Sequence, residues 1–212
     1  MPTALASLSA VKELIGYAST QYGKVEILAW RLYRIDGFAA WCITMQICLR
    51  PIGVVHVNLD DEQVEARFME GVEGMIEIYE EYVPGLEGVE GFSHLIVIAY
   101  LHKISDEQRR VLKVKPKPLR LLAADVSMVP EVGVFATNSP HRPNPLALTI
   151  VELIERSGRF LKVRRLDLFD KTPVLDIKPY TPSRAISEIK LPKWYEEALG
   201  GLRARHPCYS GL

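Results

Sequence analysis

Cysteine is scarce in this sequence: Cys42, Cys48 and Cys208 are an odd number with no CxxC pair. That indicates neither a disulfide framework nor a zinc ribbon, and it fits a reducing, cytoplasmic setting. HExxH and any Cys/His cluster are missing, so no metal is expected. Long apolar runs are missing as well. The most apolar early stretch, GFAAWCITMQIC, is too short to span a bilayer and lies too far from the start for an ordinary signal peptide. No GxGxxG follows the first strand and no GxxxxGK[ST] occurs, so a nucleotide-like cofactor must be held in another way. Without GxSxG or a cysteine in an electropositive motif, a nucleophilic hydrolase would have to be assembled from scattered residues.

Net charge is also absent, with 26 basic and 26 acidic residues, but the distribution is uneven. Asp60 to Glu90 carries eleven acidic residues against Arg67 alone. Lys103 to Arg120 reverses the sign through Arg109, Arg110, Lys113, Lys115, Lys117 and Arg120. Phosphate binding depends on where cations cluster, so a zero total leaves room for a nucleic-acid partner, with a solvated charged face as the alternative.

What is present reads as one main soluble domain of 212 residues, 48% apolar and 25% charged. Residues 1–45 stand apart as an N-terminal extension. They are either an added helix (Leu8, Val11, Leu14, Ile15) and strand, or sequence upstream of a start at Met45. From Ile47 onward β signals dominate. ICLRPIGVVHV reads as a clean strand and GMIEIYEEY alternates as a half-buried one. PGLEGVEGF is turn-rich, and FSHLIVIAYLH has the continuous apolar character of a strand buried on both faces. Ser105 and Gln108 have capping-box spacing, which predicts one or two helical turns. Two strands joined around Ser157 and Gly158 predict a hairpin. LPKWYEEALGGLR predicts a helix in a C-terminal tail, residues 183–212. Many strands, few helices and no βα alternation point to a mainly β fold: a single antiparallel barrel-like domain over residues 46–182, with extensions at both ends.

Three segments could carry chemistry. In GVFATNSPHRPNPLAL, Pro140, Pro143 and Pro145 stiffen a loop that could present Asn138, Ser139, His141, Arg142 and Asn144 to a ligand at reduced entropic cost. The planar guanidinium of Arg142 suits carboxylate or phosphate capture. The alternative is a rigid corner whose polar groups satisfy its own backbone. In LDLFDKTPVLDIKPY, Asp167, Asp170, Thr172, Asp176 and Lys178 offer carboxylates and a hydroxyl at a loop tip, or an Asx turn and a simple ion pair. His94 and His102, eight apart, are too distant to chelate one metal. His102, at the strand end, is the better functional candidate.

LRPIGVVHV, GVEGFSHLIVIAYLHK, GVFATNSPHRPNPLALTIVEL and LDLFDKTPVLDIKPY together resemble the TrmO-like (YaeB) family in order and spacing, over about residues 49–182. The resemblance implies an S-adenosylmethionine-dependent methyltransferase of barrel type. Its expected acceptor is N6 of threonylcarbamoyladenosine beside the tRNA anticodon, and a homodimer with the cofactor near the subunit interface is implied. By motif match the cofactor-binding positions are His102, Lys103, Asn138, Leu148, Asp170, Lys171 and Thr172, with Ser139, Arg142 and Asn144 in the same loop. Arg109, Arg110, Lys113, Lys115, Lys117 and Arg120 would hold tRNA, with Arg164 and Arg165 beside them, and Tyr100 or Phe169 would stack on a base. His102, Asp170 and Asp176 are open alternatives for a general base. The chain departs from the family pattern in three places. Asn138 stands where many members have Arg, and Lys171 replaces the glycine of Asp-Gly-Thr-Pro. The acidic VNLDDEQVEARF replaces the bacterial PRQP loop, and with it the choice of substrate is open. A same-scaffold methyltransferase with another acceptor, or a non-catalytic binding module, are the alternative readings.

Overall fold

The computed structural model describes residues 47–116 and 129–197, and the backbone of 16–20, 23–35 and 38–45. Two compact units result, residues 1–50 and 51–212. In the first, strands β1 (Gly16–Thr20), β2 (Gly23–Ile35) and β3 (Phe38–Met45) form an antiparallel meander. Three strands therefore occupy the extension where one was expected; the helix expected around Leu8–Ile15 lies outside the described residues.

The second unit holds β4 (Gly53–His56), α1 (Asp61–Ala66), β5 (Val72–Ile78), β6 (His94–Tyr100), α2 (Asp106–Arg109), β7 (Lys113–Val114), β8 (Val132–Gly133), β9 (Leu146–Ser157), β10 (Phe160–Leu166) and β11 (Pro173–Pro179). Six of its strands close into an antiparallel barrel in the order β10-β5-β4-β11-β6-β9, while β7 and β8 pair separately. The mainly β, barrel-type expectation holds. Its inner wall is aliphatic because side chains alternate along each strand. Val55, Ile76, Leu95, Val97, Ala99, Val151, Leu161, Val163, Leu166 and Val174 are fully buried. Ile96, on the opposite face of β6, is also buried and Ile98 is half-buried, as the continuous apolar run implied.

Local chemistry sets the corners. The β9–β10 hairpin turns through Gly158 and Arg159, and Gly158 takes φ +59° while Arg159 stays out of the left-handed region, the pattern of a type II′ turn. Ser105 caps α2 with Gln108 answering, as the spacing predicted. The strand expected over ICLRPIGVVHV is reduced to Gly53–His56. Its beginning is set by contact: a Cβ on Gly53 would meet the Glu77 carbonyl oxygen at 2.2 Å, so the two backbones pack closer than any side chain allows. Residues 193–197 are helical, and the rest of the expected C-terminal helix lies outside the described residues.

Candidate functional site

The registers place the C-terminal ends of β4, β6 and β10 and the starts of β5, β9 and β11 at one end of the barrel. There a cavity of about 720 Å³ opens between three segments. The stretch after β4 supplies Leu59, Asp60, Asp61 and Glu62; the turn after β6 supplies His102 and Lys103; the β10–β11 loop supplies Asp170 and Lys171.

Each segment is held by its own backbone chemistry. Asp60 caps α1: its Oδ1 accepts the Gln63 N–H at 2.8 Å and its own N–H donates to Gln63 Oε1 at 3.1 Å. This capping box fixes the first turn, from which Asp61 meets Lys103; the Lys103 ammonium donates to Asp61 Oδ1 at 2.7 Å and Oδ2 at 2.5 Å. The same ammonium lies 5.1 Å from the centre of the Phe169 ring. The β10–β11 loop is fastened to β4: the Val57 N–H donates to Asp170 Oδ1 at 3.1 Å, and the Lys171 N–H to the Val55 carbonyl at 2.8 Å. Thr172 is buried, and its carbonyl accepts from the Val55 N–H at 3.0 Å. Lys171 pays for this fastening with φ +61°, a left-handed conformation in which glycine is the least strained residue.

Burial lowers the His102 imidazole below its ordinary value and the Lys103 charge lowers it further, with Asp61 pulling the other way. His102 is therefore neutral at neutral pH and able to accept a proton. Asp167, earlier in the same loop, keeps an exposed flank, but burial pushes its carboxyl upward against a hydrogen bond from Thr149.

The structure thus brings His102, Lys103, Asp170 and Lys171 together around one cavity and leaves other sequence candidates elsewhere. Asp176 is displaced most. It lies on β11, paired opposite Ile98 of β6, and lines a second cavity of about 530 Å³ with Tyr82, Phe92 and Ile177. There it pairs with Lys178 at 2.5 Å. Its carboxylate lines a different cavity from the one that holds His102. The proline-rich loop adopts the self-satisfied corner: Arg142 Nε donates to the Ser139 carbonyl at 2.8 Å, and Nη2 to the carbonyls of Val134, at 3.0 Å, and Thr137. The Ser139 N–H donates to Thr137 Oγ1 and the Ser139 hydroxyl accepts from the His141 N–H. The guanidinium expected to capture an anion is engaged by its own loop. Asn138 and Asn144 are exposed on that corner, whose far end is tied to the site because the Leu101 N–H donates to the Pro145 carbonyl at 2.8 Å. Leu148 stands on the outer face of β9, 68% exposed. His94 is half-buried and bonded to Ser93, not part of the site.

Of the expected basic face, part is engaged within the protein and part is exposed. Arg109 bonds the Tyr100 hydroxyl, lies over the Tyr100 ring at 5.6 Å and faces Asp106 at 3.6 Å, so both Arg109 and Tyr100 are occupied. Arg164 pairs with Glu73 at 2.9 Å and Glu152 at 3.6 Å. Arg110, Lys113, Lys115 and Arg165 are exposed; Lys117 and Arg120 lie outside the described residues. Asp61 was absent from the sequence candidates. Its signal was the D-x-x-Q spacing of Asp60 and Gln63, which starts a helix and so directs the next carboxylate.

Fold and cavity together define a closed antiparallel barrel with a mixed-charge pocket at one end, rich in carboxylates and holding two lysines and an imidazole. Residues 58–185 match the tRNA-methyltransferase O N-terminal domain family, and the chain belongs to that family. It is 35% identical, over 73% of its own length and 79% of the relative's, to a probable S-adenosyl-L-methionine-binding protein of Pyrococcus abyssi. A tRNA (adenine(37)-N6)-methyltransferase of Mus musculus is 41% identical over 95 residues, 45% of this chain and 20% of the mouse protein. The crystal structure of TrmO from Pseudomonas aeruginosa is similar with a TM-score of 0.50 at 27% identity, covering 69% of this chain and 62% of that one. The chain therefore spans a fifth of the mouse protein and under two thirds of the bacterial one.

Proposed function

We propose that this chain binds S-adenosylmethionine in the cavity beside His102 and transfers its methyl group to N6 of an adenosine next to a tRNA anticodon, with threonylcarbamoyladenosine as the acceptor. The observation that carries the reading is the convergence of His102, Lys103, Asp170 and Lys171 on one cavity at the end of a family barrel. The donor set suits the cofactor's charges. A sulfonium and an α-ammonium match Asp60, Asp61, Glu62 and Asp170, and a carboxylate matches lysine. The name of the Pyrococcus relative points to the same cofactor, and that of the mouse relative to the acceptor.

When bound, S-adenosylmethionine supplies a methyl group already activated on a sulfonium. The protein's work is then to align N6, exclude water and receive a proton. His102, exposed at the rim and shifted toward its neutral form by partial desolvation and by Lys103, takes the proton. Asp170, with Oδ1 committed to the Val57 N–H, keeps Oδ2 to orient a donor. Arg110, Lys113 and Lys115 hold the RNA backbone through phosphate contacts, which makes retention salt-dependent. A homodimer is supported by the outer face of β9, where Leu146, Leu148 and Ile150 are 40%, 68% and 40% exposed in one row. A second copy covering that row would approach Leu148, which the motif match assigns to the cofactor. Cytoplasmic residence follows from a tRNA acceptor.

The test is calorimetric titration with S-adenosylmethionine, followed by incubation with tRNA and mass spectrometry of its nucleosides. Saturable binding and a 14-dalton gain on threonylcarbamoyladenosine, lost in His102→Ala, are expected. Binding without any methylated nucleoside would leave the non-catalytic reading, and a methylated acceptor other than this one would leave the same-scaffold reading that the acidic α1 segment suggests.

A further inference from the structure

We propose that Lys171 is a specificity-determining residue that receives the carboxylate of the cofactor's amino-acid end, at the expense of backbone strain. The inference rests on the cofactor reading above. The cavity has two lysines and they are not equivalent. Both oxygens of Asp61 hold the Lys103 ammonium, which also lies over the Phe169 ring, so its charge is already matched inside the site. Lys171 makes no side-chain hydrogen bond or ion pair among the described residues, and it is exposed at the rim. Any anionic group entering this carboxylate-rich cavity needs a free cation, and among the described residues that line it Lys171 is the one left free.

The backbone gives the independent argument. Lys171 sits at φ +61° between two fastenings, its own N–H on the Val55 carbonyl and the Thr172 N–H on the Phe169 carbonyl at 3.2 Å. These bonds fix the conformation whatever the side chain is. A residue with a Cβ is strained there and glycine is not. Strain that the surroundings enforce without need of the side chain indicates that the side chain does something else. An ammonium whose backbone is pinned at both sides is also partly pre-ordered, which reduces the entropy lost when it meets its partner.

Stability and affinity should therefore respond in opposite directions. Lys171→Gly relieves the strain and should raise the melting temperature by about 2–4 °C, while weakening S-adenosylmethionine about tenfold to a hundredfold, the loss expected for one charge-assisted hydrogen bond. Lys171→Ala, still strained, should weaken binding equally without the thermal gain. The deciding titration compares S-adenosylmethionine with its decarboxylated analogue on the full chain. Wild type should prefer the carboxylated form, and both variants should bind the two alike. If Lys171→Gly and Lys171→Ala weaken both compounds by the same factor, or neither, the carboxylate is received elsewhere and the proposal fails, though the cofactor reading stands. If the variants spare the cofactor and weaken tRNA retention instead, the anion belongs to the acceptor, which also overturns it. If wild type binds neither compound, the cofactor reading itself falls.

Discussion

At the scale of single residues, the site is governed by which charges are already satisfied. Lys103 is bound by Asp61, Asp170 is half-committed to a backbone N–H, and His102, though exposed, is shifted toward its neutral form by partial desolvation and by Lys103. A titration of His102 followed by NMR should therefore give a midpoint below the ordinary 6.5. Asp61→Asn should move it lower still, because Asp61 is the contact that favours the imidazolium. The linked effect on stability has a definite sign. The unfolded chain takes up the proton first, so this group's contribution is complete above pH 6.5 and is lost as the pH falls below it. Gly53 shows a different kind of control. Gly53→Ala would force a Cβ to 2.2 Å from the Glu77 carbonyl oxygen in the barrel wall, and a chemical melt should register a loss of about 3 kcal/mol, the upper range for overpacking.

At the scale of elements, what could be read in the sequence was what local patterns determine. The β9–β10 hairpin followed from Gly158 between two alternating runs, β6 from its continuous apolar stretch, and α2 from Ser105 and Gln108. Period and capping are properties of a few adjacent residues. Partner choice is not, and there local patterns say less. Nothing local reveals that Arg142 turns back onto three carbonyls of its own loop, or that Arg109 lies over Tyr100 from nine residues away. The separation of Asp176 from Asp170 depends on how β11 pairs with β6, with a register shift between Val174 and Asp176, and the two carboxylates line different cavities. Long-range partners also hold the far end together. Arg156, at the end of β9, donates to the Gly158 carbonyl at 3.0 Å and the Leu86 carbonyl at 3.1 Å and pairs with Glu90, joining the hairpin to the 3₁₀ segment Glu80–Leu86. Arg156→Ala should cost about 1.5–3 kcal/mol in a urea melt, and lysine should recover little, since a point charge cannot make a forked contact.

At the scale of the molecule, the closed barrel leaves an exposed apolar row among the described residues, Leu146, Leu148 and Ile150 on the outer face of β9. Replacing Leu148 and Ile150 with Glu should convert the proposed dimer to monomer in sedimentation velocity without unfolding the barrel, whose interior those side chains do not reach. An unchanged sedimentation coefficient would place the second copy elsewhere or remove it. The order of the barrel strands has a temporal consequence as well. β11 lies between β4 and β6 and is the last of the six along the chain, so before residues 173–179 leave the ribosome the nascent chain has two strands with bare edges facing a gap. No earlier strand of the barrel occupies that gap. The same late strand follows the pinned Lys171 turn, so sealing the wall and setting the cavity rim are one event, and a chain stalled just short of it would be sticky and without a finished pocket.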